Sequence, residues 1–235
     1  SDLNAHPHIS NSGKLLIVHN GIIDNYATLR KMLIENGYTF ISETDTEVLI
    51  NFIEYVWKRT GEDIFEATRL ALNEVEGAYA FIIFCSEEPD KVVIAKKSSP
   101  LLVGVLPSSG EYLIASDAPA FADHTNQIIF LEDNTIGLLK IGEAPVIIDL
   151  KKTSITPTVH ELELDVDKLE KGEYPHYMLK EIHEQPDAVK NSLRGRVIPS
   201  TNTVLLGGLR DHIDVIAEAN KITFLGCGTS YHACL

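Results

Sequence analysis

Cysteine is scarce in this sequence, and its spacing excludes two common ways of stabilising a fold. There are three cysteines, Cys85, Cys227 and Cys234, an odd number without Cys-x-x-Cys spacing. Such usage predicts neither a disulfide framework nor a zinc site, and it is typical of reduced thiols in the cytosol. We therefore expect a cytoplasmic protein.

Basic residues and long apolar runs are also lacking. Twenty Lys and Arg stand against 34 Asp and Glu, which gives a formal net charge of −14. This excess of acid argues against a nucleic-acid partner, which needs a basic face. No apolar run has transmembrane length, and the first residues have no signal-peptide character, so we expect no membrane partner. With 44% hydrophobic residues, the 235-residue chain can bury a core in one large domain or two modest ones.

The first 150 residues are predicted to form a layered α+β domain. A buried strand at 15–18 precedes three helices, at 25–36, 48–58 and 64–75. Short apolar runs separated by turns then predict a mostly antiparallel sheet. These predicted strands are 78–85, 91–95, 101–106, 112–115, 127–131, 135–140 and 146–150.

The pattern weakens and acidic residues accumulate at 153–172, which predicts a domain junction. We place the first domain at 1–170 and the second at 171–235. The second part is predicted to contain helices near 177–194 and 210–220. A strand at 222–225 should then run into the glycine-rich sequence Gly-Cys-Gly-Thr-Ser.

The sequence Val18-His-Asn-Gly21 is the first candidate site. The side-chain amide of Asn20 and the backbone N–H of Gly21 are suitable donors for the oxyanion of an acyl-transfer reaction. Glycine would also let the backbone approach a ligand closely. Asn-Gly is, however, the commonest tight-turn dipeptide, and on this dipeptide alone a turn is favoured.

The sequence Ser42-Glu-Thr-Asp-Thr-Glu47 is the second candidate. Asp45 could bind the α-ammonium group of an amino-acid substrate. Thr44 or Asp45 could instead cap the following helix, since Thr44 and Glu47 have the spacing of a capping box. Spacing alone favours the cap, and the two roles are compatible.

Two further patterns are less specific. Gly226-Cys-Gly-Thr-Ser230, between an apolar stretch and a predicted helix, fits either a phosphate-binding loop or a plain turn. The sequence His6-Pro-His8 has no neighbouring ligand partner, so we expect no metal there. We interpret it as a structured loop that lines the first site.

The order of these motifs resembles one family along nearly the whole chain. AHPH, VHNGIIDN, SETDTEV, a series of strands, HYMLKEIHEQPDAV and GCGTSYHA are similar to the glutamine–fructose-6-phosphate aminotransferases (isomerising), or glucosamine-6-phosphate synthases. The HNG and TDTE pair is shared by class II glutamine amidotransferases generally, and the later segments narrow the resemblance.

This resemblance implies a four-layer N-terminal-nucleophile hydrolase fold, incomplete at its N-terminus, for residues 1 to about 170. Asn20 and Gly21 would supply the oxyanion hole. Asp45 would hold the α-amino group of glutamine, with His6 and His19 in structural or second-shell positions. The remainder would be the first helices and strand of an α/β sugar-isomerase domain.

For the whole enzyme, the resemblance implies transfer of ammonia from glutamine to fructose 6-phosphate, without a cofactor and as a homodimer. Thr229 and Ser230 would bind the sugar phosphate. The family's nucleophile is an N-terminal cysteine absent from this sequence, so we expect the chain alone to be inactive. The alternatives are another class II glutamine amidotransferase or a non-catalytic, glutaminase-like binding fragment.

Overall fold

The chain folds into two compact units, Ser1–Leu169 and Glu170–Leu235. This computed structural model describes residues 2–162, 171–198, 203–204 and 207–235. The predicted junction at residue 170 lies outside the described residues.

Three helices follow the second strand of the first unit, as predicted. They are α1 (Tyr26–Glu35), α2 (Asp45–Thr60) and α3 (Ile64–Leu72). The hydroxyl of Thr44 accepts a hydrogen bond from the backbone N–H of Glu47 and caps α2. Asp63 caps α3 in the same way. Because each cap satisfies a backbone donor that the helix cannot, it fixes where the helix begins.

Eleven strands of the first unit form two antiparallel sheets among the described residues. They are β1 (His8–Ile9), β2 (Leu15–Ile23), β3 (Gly77–Cys85), β4 (Val92–Lys97), β5 (Leu102–Leu106), β6 (Glu111–Ala115), β7 (Gln127–Phe130), β8 (Thr135–Leu139), β9 (Val146–Asp149), β10 (Ser154–Ile155) and β11 (Val159–Glu161). The larger sheet has the order β1-β2-β3-β4-β8-β9-β10, and the smaller has the order β11-β7-β5-β6. All seven strands predicted after α3 are present.

The two sheets stack, and the helices cover the outer face of the larger one. The hydrophobic core has two parts, one on each face of the larger sheet, and neighbouring residues of β3 contribute to opposite parts because their side chains alternate. Tyr79 and Phe81 pack on the side of α1, α2 and α3, whereas Ala80 packs against the smaller sheet. This arrangement confirms the predicted α+β class with stacked antiparallel sheets.

The Asn-Gly sequence does not form a tight turn, which corrects the outcome that the dipeptide alone favours. Strand β2 continues through it and ends at Ile23, five residues beyond the predicted end. Every β2 residue is paired with β3, from Leu15 opposite Cys85 to Ile23 opposite Gly77. Continuous pairing with a neighbouring strand outweighs the local turn preference.

The second unit contains shorter elements. Helix α4 (Tyr177–Leu193) occupies the predicted position. It is followed by the paired strands β12 (Val197–Ile198) and β13 (Thr203–Val204), then by α5 (Ile213–Ala217) and α6 (Thr229–Cys234). No helix among the described residues is long and apolar enough to cross a membrane.

The predicted strand at 222–225 is wrong. Residues 221–227 form neither helix nor strand, and Leu225 is 90% exposed. An isolated apolar run gains strand pairing only where another strand lies alongside, and the described residues provide none here.

Candidate functional site

A cavity of about 500 Å³ lies where β2 ends and α2 begins. It brings together five residues that the sequence singles out: His6, His19, Asn20, Gly21 and Asp45. The other lining residues are Ile22, Tyr26, Glu43, Thr44 and Thr46. The site is therefore built by the end of β2, the starts of α1 and α2, and the loop that contains the His-Pro-His sequence.

The side chains of His19 and Asn20 point to opposite faces of β2, because neighbouring strand residues alternate. His19 is buried, whereas Asn20 and Gly21 are exposed. The Asn20 side chain has no hydrogen-bond partner among the described residues, so its amide is available to a molecule in the cavity.

Position 21 must be glycine, because the neighbouring strand leaves no room for a side chain there. Its φ angle is +138°, and a Cβ atom there would lie 2.0 Å from the carbonyl oxygen of Ala78. Gly77, on the partner strand, is under the same constraint, since its Cβ would lie 2.1 Å from the carbonyl oxygen of Ile22. We expected glycine to let the backbone approach a ligand closely, but here it lets the backbones of β2 and β3 approach each other. This close approach sets the path of the backbone beside Asn20.

Asp45 is the first residue of α2 and faces the end of β2. Its Oδ2 atom accepts a hydrogen bond from the backbone N–H of Ile23 at 2.8 Å. Since Thr44 provides the cap, Asp45 is not used to begin the helix. Its Oδ1 atom accepts no hydrogen bond from the described residues and can accept one from a ligand.

His19 is a neutral, buried imidazole beside the cavity. Its Nδ1 atom and the hydroxyl oxygen of Thr46 lie 3.0 Å apart and share a hydrogen bond. Its Nε2 atom is buried and has no partner among the described residues. Burial lowers the pKa of His19 to about 4, against the opposing effect of the nearby Asp45 carboxylate. The ring is therefore uncharged at neutral pH.

A second chain of hydrogen-bonded polar side chains supports the loop before α2, and it is not predicted from the sequence. The hydroxyl of Ser42 donates to Glu47 at 2.6 Å and lies 2.9 Å from the hydroxyl of Thr44. The Thr44 hydroxyl also lies 3.2 Å from Nε2 of His8. Glu47 accepts further bonds from the backbone N–H groups of Ile41 and Ser42, so only half of the predicted capping box forms. The alternating hydroxyl residues of Ser42-Glu-Thr-Asp-Thr are the feature of the sequence that could have indicated this network.

The charges around the cavity favour a cationic ligand group. Asp45 and Glu43 line it, and its lining contains no Lys or Arg. The neutral His19 ring adds no positive charge. The described residues include no cluster of His, Cys, Asp and Glu arranged to hold a metal ion.

The two remaining predicted site residues, Thr229 and Ser230, begin α6 in the second unit. Cys85, the cysteine nearest to the first site in sequence, ends β3 and is buried, and burial raises the pKa of its thiol. A larger cavity of about 580 Å³, lined in part by Phe84, Tyr112 and Ile141, contains none of the predicted residues. Its lining is mainly apolar, so the smaller cavity is the better candidate for chemistry.

Similar proteins are known for nearly the whole chain. A family model described as a glutamine amidotransferase domain matches residues 1–123. Glutamine–fructose-6-phosphate aminotransferase (isomerizing) of Bacteroides thetaiotaomicron is 45% identical over 231 residues, which cover 98% of this chain and 37% of that protein. The proteins of the same name from Caldanaerobacter subterraneus and Methanothermobacter thermautotrophicus are 46% and 43% identical, each over 99% of this chain and 37% of its relative. The chain thus spans about 37% of the length of these curated relatives.

Solved structures share the fold. Glutamine phosphoribosylpyrophosphate amidotransferase from B. subtilis, complexed with ADP and GMP, is similar with a TM-score of 0.51 and 24% identity. The similarity covers 64% of this chain and 33% of that one. A structure described as the allosteric regulatory enzyme of purine biosynthesis gives a TM-score of 0.50, also at 24% identity, over 63% of this chain and 31% of that one.

Proposed function

Because this chain belongs to the glutamine amidotransferase domain family, we propose that the cavity between β2 and α2 binds L-glutamine. The observation that carries the proposal is the position of Asn20 and Asp45 on the same cavity, on two different elements. Glutamine has an amide at one end and an α-ammonium at the other. The two side chains match those two groups.

Asp45 binds the ammonium group. One carboxylate oxygen is already fixed by the Ile23 N–H group, which leaves Oδ1 for the ligand. A carboxylate held in this way needs no reorientation on binding, so less conformational entropy is lost. Glu43 adds negative charge at the same cavity and favours a cation there.

Asn20 and Gly21 bind the amide end. When a nucleophile attacks the side-chain amide, its oxygen gains negative charge, and the Asn20 N–H donors stabilise that charge in the transition state. Loss of one such donor typically lowers the rate by about 10²–10³. The required path of the backbone at Gly21 holds Asn20 at the cavity.

The names of the relatives extend the proposal to the whole enzyme. We infer that it moves the amide nitrogen of glutamine to fructose 6-phosphate in the cytoplasm, as a homodimer. In that reaction Thr229 and Ser230 contact the sugar phosphate, and His6 and His19 support the glutamine site. The names and the extent of the sequence similarity favour this substrate over phosphoribosylpyrophosphate, since the solved relatives share only the fold.

Calorimetric titration of the 235-residue chain with L-glutamine tests the proposal. We expect saturable binding that Asp45→Asn weakens about tenfold or more, because a hydrogen bond to a charged group is worth about 1.5–3 kcal/mol. Asparagine retains an oxygen for the Ile23 N–H, so the fold should persist. The matched control is Asp63→Asn, the same change at the start of α3, where Asn is an equally good cap.

The ligand can be varied as well as the protein. An analogue of glutamine without the α-amino group should bind the wild-type chain and Asp45→Asn equally weakly. Absence of saturable glutamine binding, or equal affinity of Asp45→Asn and wild type for glutamine, would contradict the proposal.

A further inference from the structure

Two hydrogen bonds join β2 to the first turn of α2 on either side of Asn20 and Gly21. On one side His19 is bonded to Thr46 at 3.0 Å, and on the other the Ile23 N–H is bonded to Asp45 at 2.8 Å. The bonded positions on the strand flank the oxyanion donors, and the bonded positions on the helix are consecutive. This short strand segment is therefore fastened to the helix at both of its ends.

The bond between His19 and Thr46 is shielded from water. Each residue is only 3% exposed, so solvent cannot compete for the two atoms. Since Nε2 of His19 has no partner among the described residues, Thr46 is the only hydrogen-bond anchor of the ring there. Nε2 of His6 also lies 3.4 Å from the Thr46 hydroxyl, a longer contact from an exposed residue.

This pair of bonds fixes the separation of the two ligand-binding groups. Asn20 lies on β2 and Asp45 on α2, and they are 25 residues apart in sequence. Backbone connectivity alone does not hold them at a set distance. Packing of α2 against β2 in one hydrophobic core brings the two elements together. The side-chain bond between buried residues adds a directional constraint, because it is adjacent to Asn20 on the strand and to Asp45 on the helix.

We propose that Thr46, acting through His19, is a positioning residue that makes the site select an amino acid of the length of glutamine. The inference rests on the proposed function, which places the ammonium at Asp45 and the amide at Asn20. L-asparagine carries the same two groups but is one methylene shorter. A rigid separation rejects it, whereas a loose separation tolerates it.

The test compares the affinities of four forms of the chain for L-glutamine and L-asparagine. Wild type should prefer glutamine by about 10–200-fold, the usual value of one methylene. Thr46→Val, which keeps the shape and removes the hydroxyl, should lower this preference about tenfold. Thr46→Ser should retain it.

The matched control is Thr68→Val. Thr68 is an equally buried threonine on α3, and its hydroxyl donates to the carbonyl of Ile64 at 2.7 Å, away from the cavity. We expect it to keep the wild-type preference. If Thr46→Val does not fold, His19→Gln breaks the same bond from the other side and should lower the preference similarly.

A spectroscopic measurement separates this inference from the proposed function. The imidazole ¹⁵N shifts of His19, recorded without ligand, should change in Thr46→Val and be kept in Thr46→Ser and Thr68→Val. Glutamine-selective binding that depends on Asp45 but not on Thr46 would overturn only the positioning role. Normal ¹⁵N behaviour without any glutamine binding would overturn the proposed function, and the specificity role with it.

Discussion

Gly21 and Ala78 face each other so closely that a Cβ atom on Gly21 would lie 2.0 Å from the Ala78 carbonyl oxygen. The neighbouring atom belongs to the backbone of a central strand and cannot rotate away. Gly21→Ala should therefore destabilise the first unit by about 3 kcal/mol or more, since both strands must shift and a positive φ is imposed on alanine. Denaturant unfolding followed by the fluorescence of Trp57, the single tryptophan, measures this loss.

Gly13→Ala is the control for the backbone conformation alone. Gly13 also has a positive φ, of 75°, but a Cβ atom there would meet nothing within 4 Å. We expect a cost of about 1–2 kcal/mol from the left-handed conformation. Equal effects of the two substitutions would show that the contact with Ala78 is relieved at little cost.

The pairing of Gly21 with the strand that contains Ala78 shows which parts of the fold can be predicted from the sequence and which cannot. Apolar periodicity predicted the three helices and eight of the eleven described strands of the first unit, because a local pattern records which face of an element is buried. It missed the short strands β1, β10 and β11. It did not predict that the Asn-Gly sequence continues a strand, since that depends on pairing with β3 some 60 residues away. The strand predicted at 222–225 failed for the same reason: strand formation depends on a neighbour.

The candidate site was predictable only in part. Asn20, Gly21 and Asp45 were identified from residue type, order and resemblance, and all three line one cavity. The bond between His19 and Thr46 was not, because its two residues belong to two separate motifs 27 positions apart and neither motif indicates that they contact each other. Long-range contacts between buried polar side chains leave little trace in a single sequence.

His19 should make stability depend on pH between about 6.5 and 4. Its pKa is about 4 in the folded chain and 6.5 ordinarily, so the unfolded chain binds more protons in this range. Stability is therefore present above pH 6.5 and lost as the pH falls towards 4. At about 1.4 kcal/mol per pH unit, the loss from His19 is on the order of 3 kcal/mol. The pKa of His8 is lowered by burial too, which adds a change of the same sign.

Unfolding measured by Trp57 fluorescence at several pH values checks this dependence. His19→Gln should remove most of the slope between pH 6.5 and 4.5, because glutamine does not titrate. The same substitution at the exposed His124 should leave the slope unchanged. A wild-type curve that is flat in this range, or one that His19→Gln does not alter, would show that the ring is charged in the folded chain.

Glu54 anchors the loop between β1 and β2 to α2. Its buried carboxylate accepts hydrogen bonds from the hydroxyls of Ser10, at 2.7 Å, and of Ser12, and it pairs with Lys58 at 2.9 Å. Glu54→Ala should cost about 3 kcal/mol, because it leaves the buried Ser10 hydroxyl without its acceptor and removes the bonds that hold Ser12 and the half-exposed Lys58. Unfolding of the variant in denaturant measures the loss.

One further variant separates the hydrogen-bond acceptor of Glu54 from its negative charge, and a second variant serves as the control. Glu54→Gln keeps an oxygen for the serine hydroxyls and should cost less than Glu54→Ala. Glu35→Ala, the same deletion at an exposed position of α1, should change stability by less than about 0.5 kcal/mol. If Glu54→Ala were as mild as Glu35→Ala, the loop would be held by other contacts.

Cys85 should be chemically inert in the folded chain. It is 3% exposed at the end of β3, and burial raises the pKa of its thiol, so little thiolate forms at neutral pH. Cys227 is exposed and provides an internal comparison. Iodoacetamide labelling followed by peptide mass spectrometry should modify Cys227 at least about 100-fold faster than Cys85, and denaturant should abolish the difference, since the thiolate is the reacting species. Equal labelling of the two in the native chain would show that the Cys85 thiol is accessible at the end of β3, where it pairs with Leu15 rather than with Asn20 or Gly21.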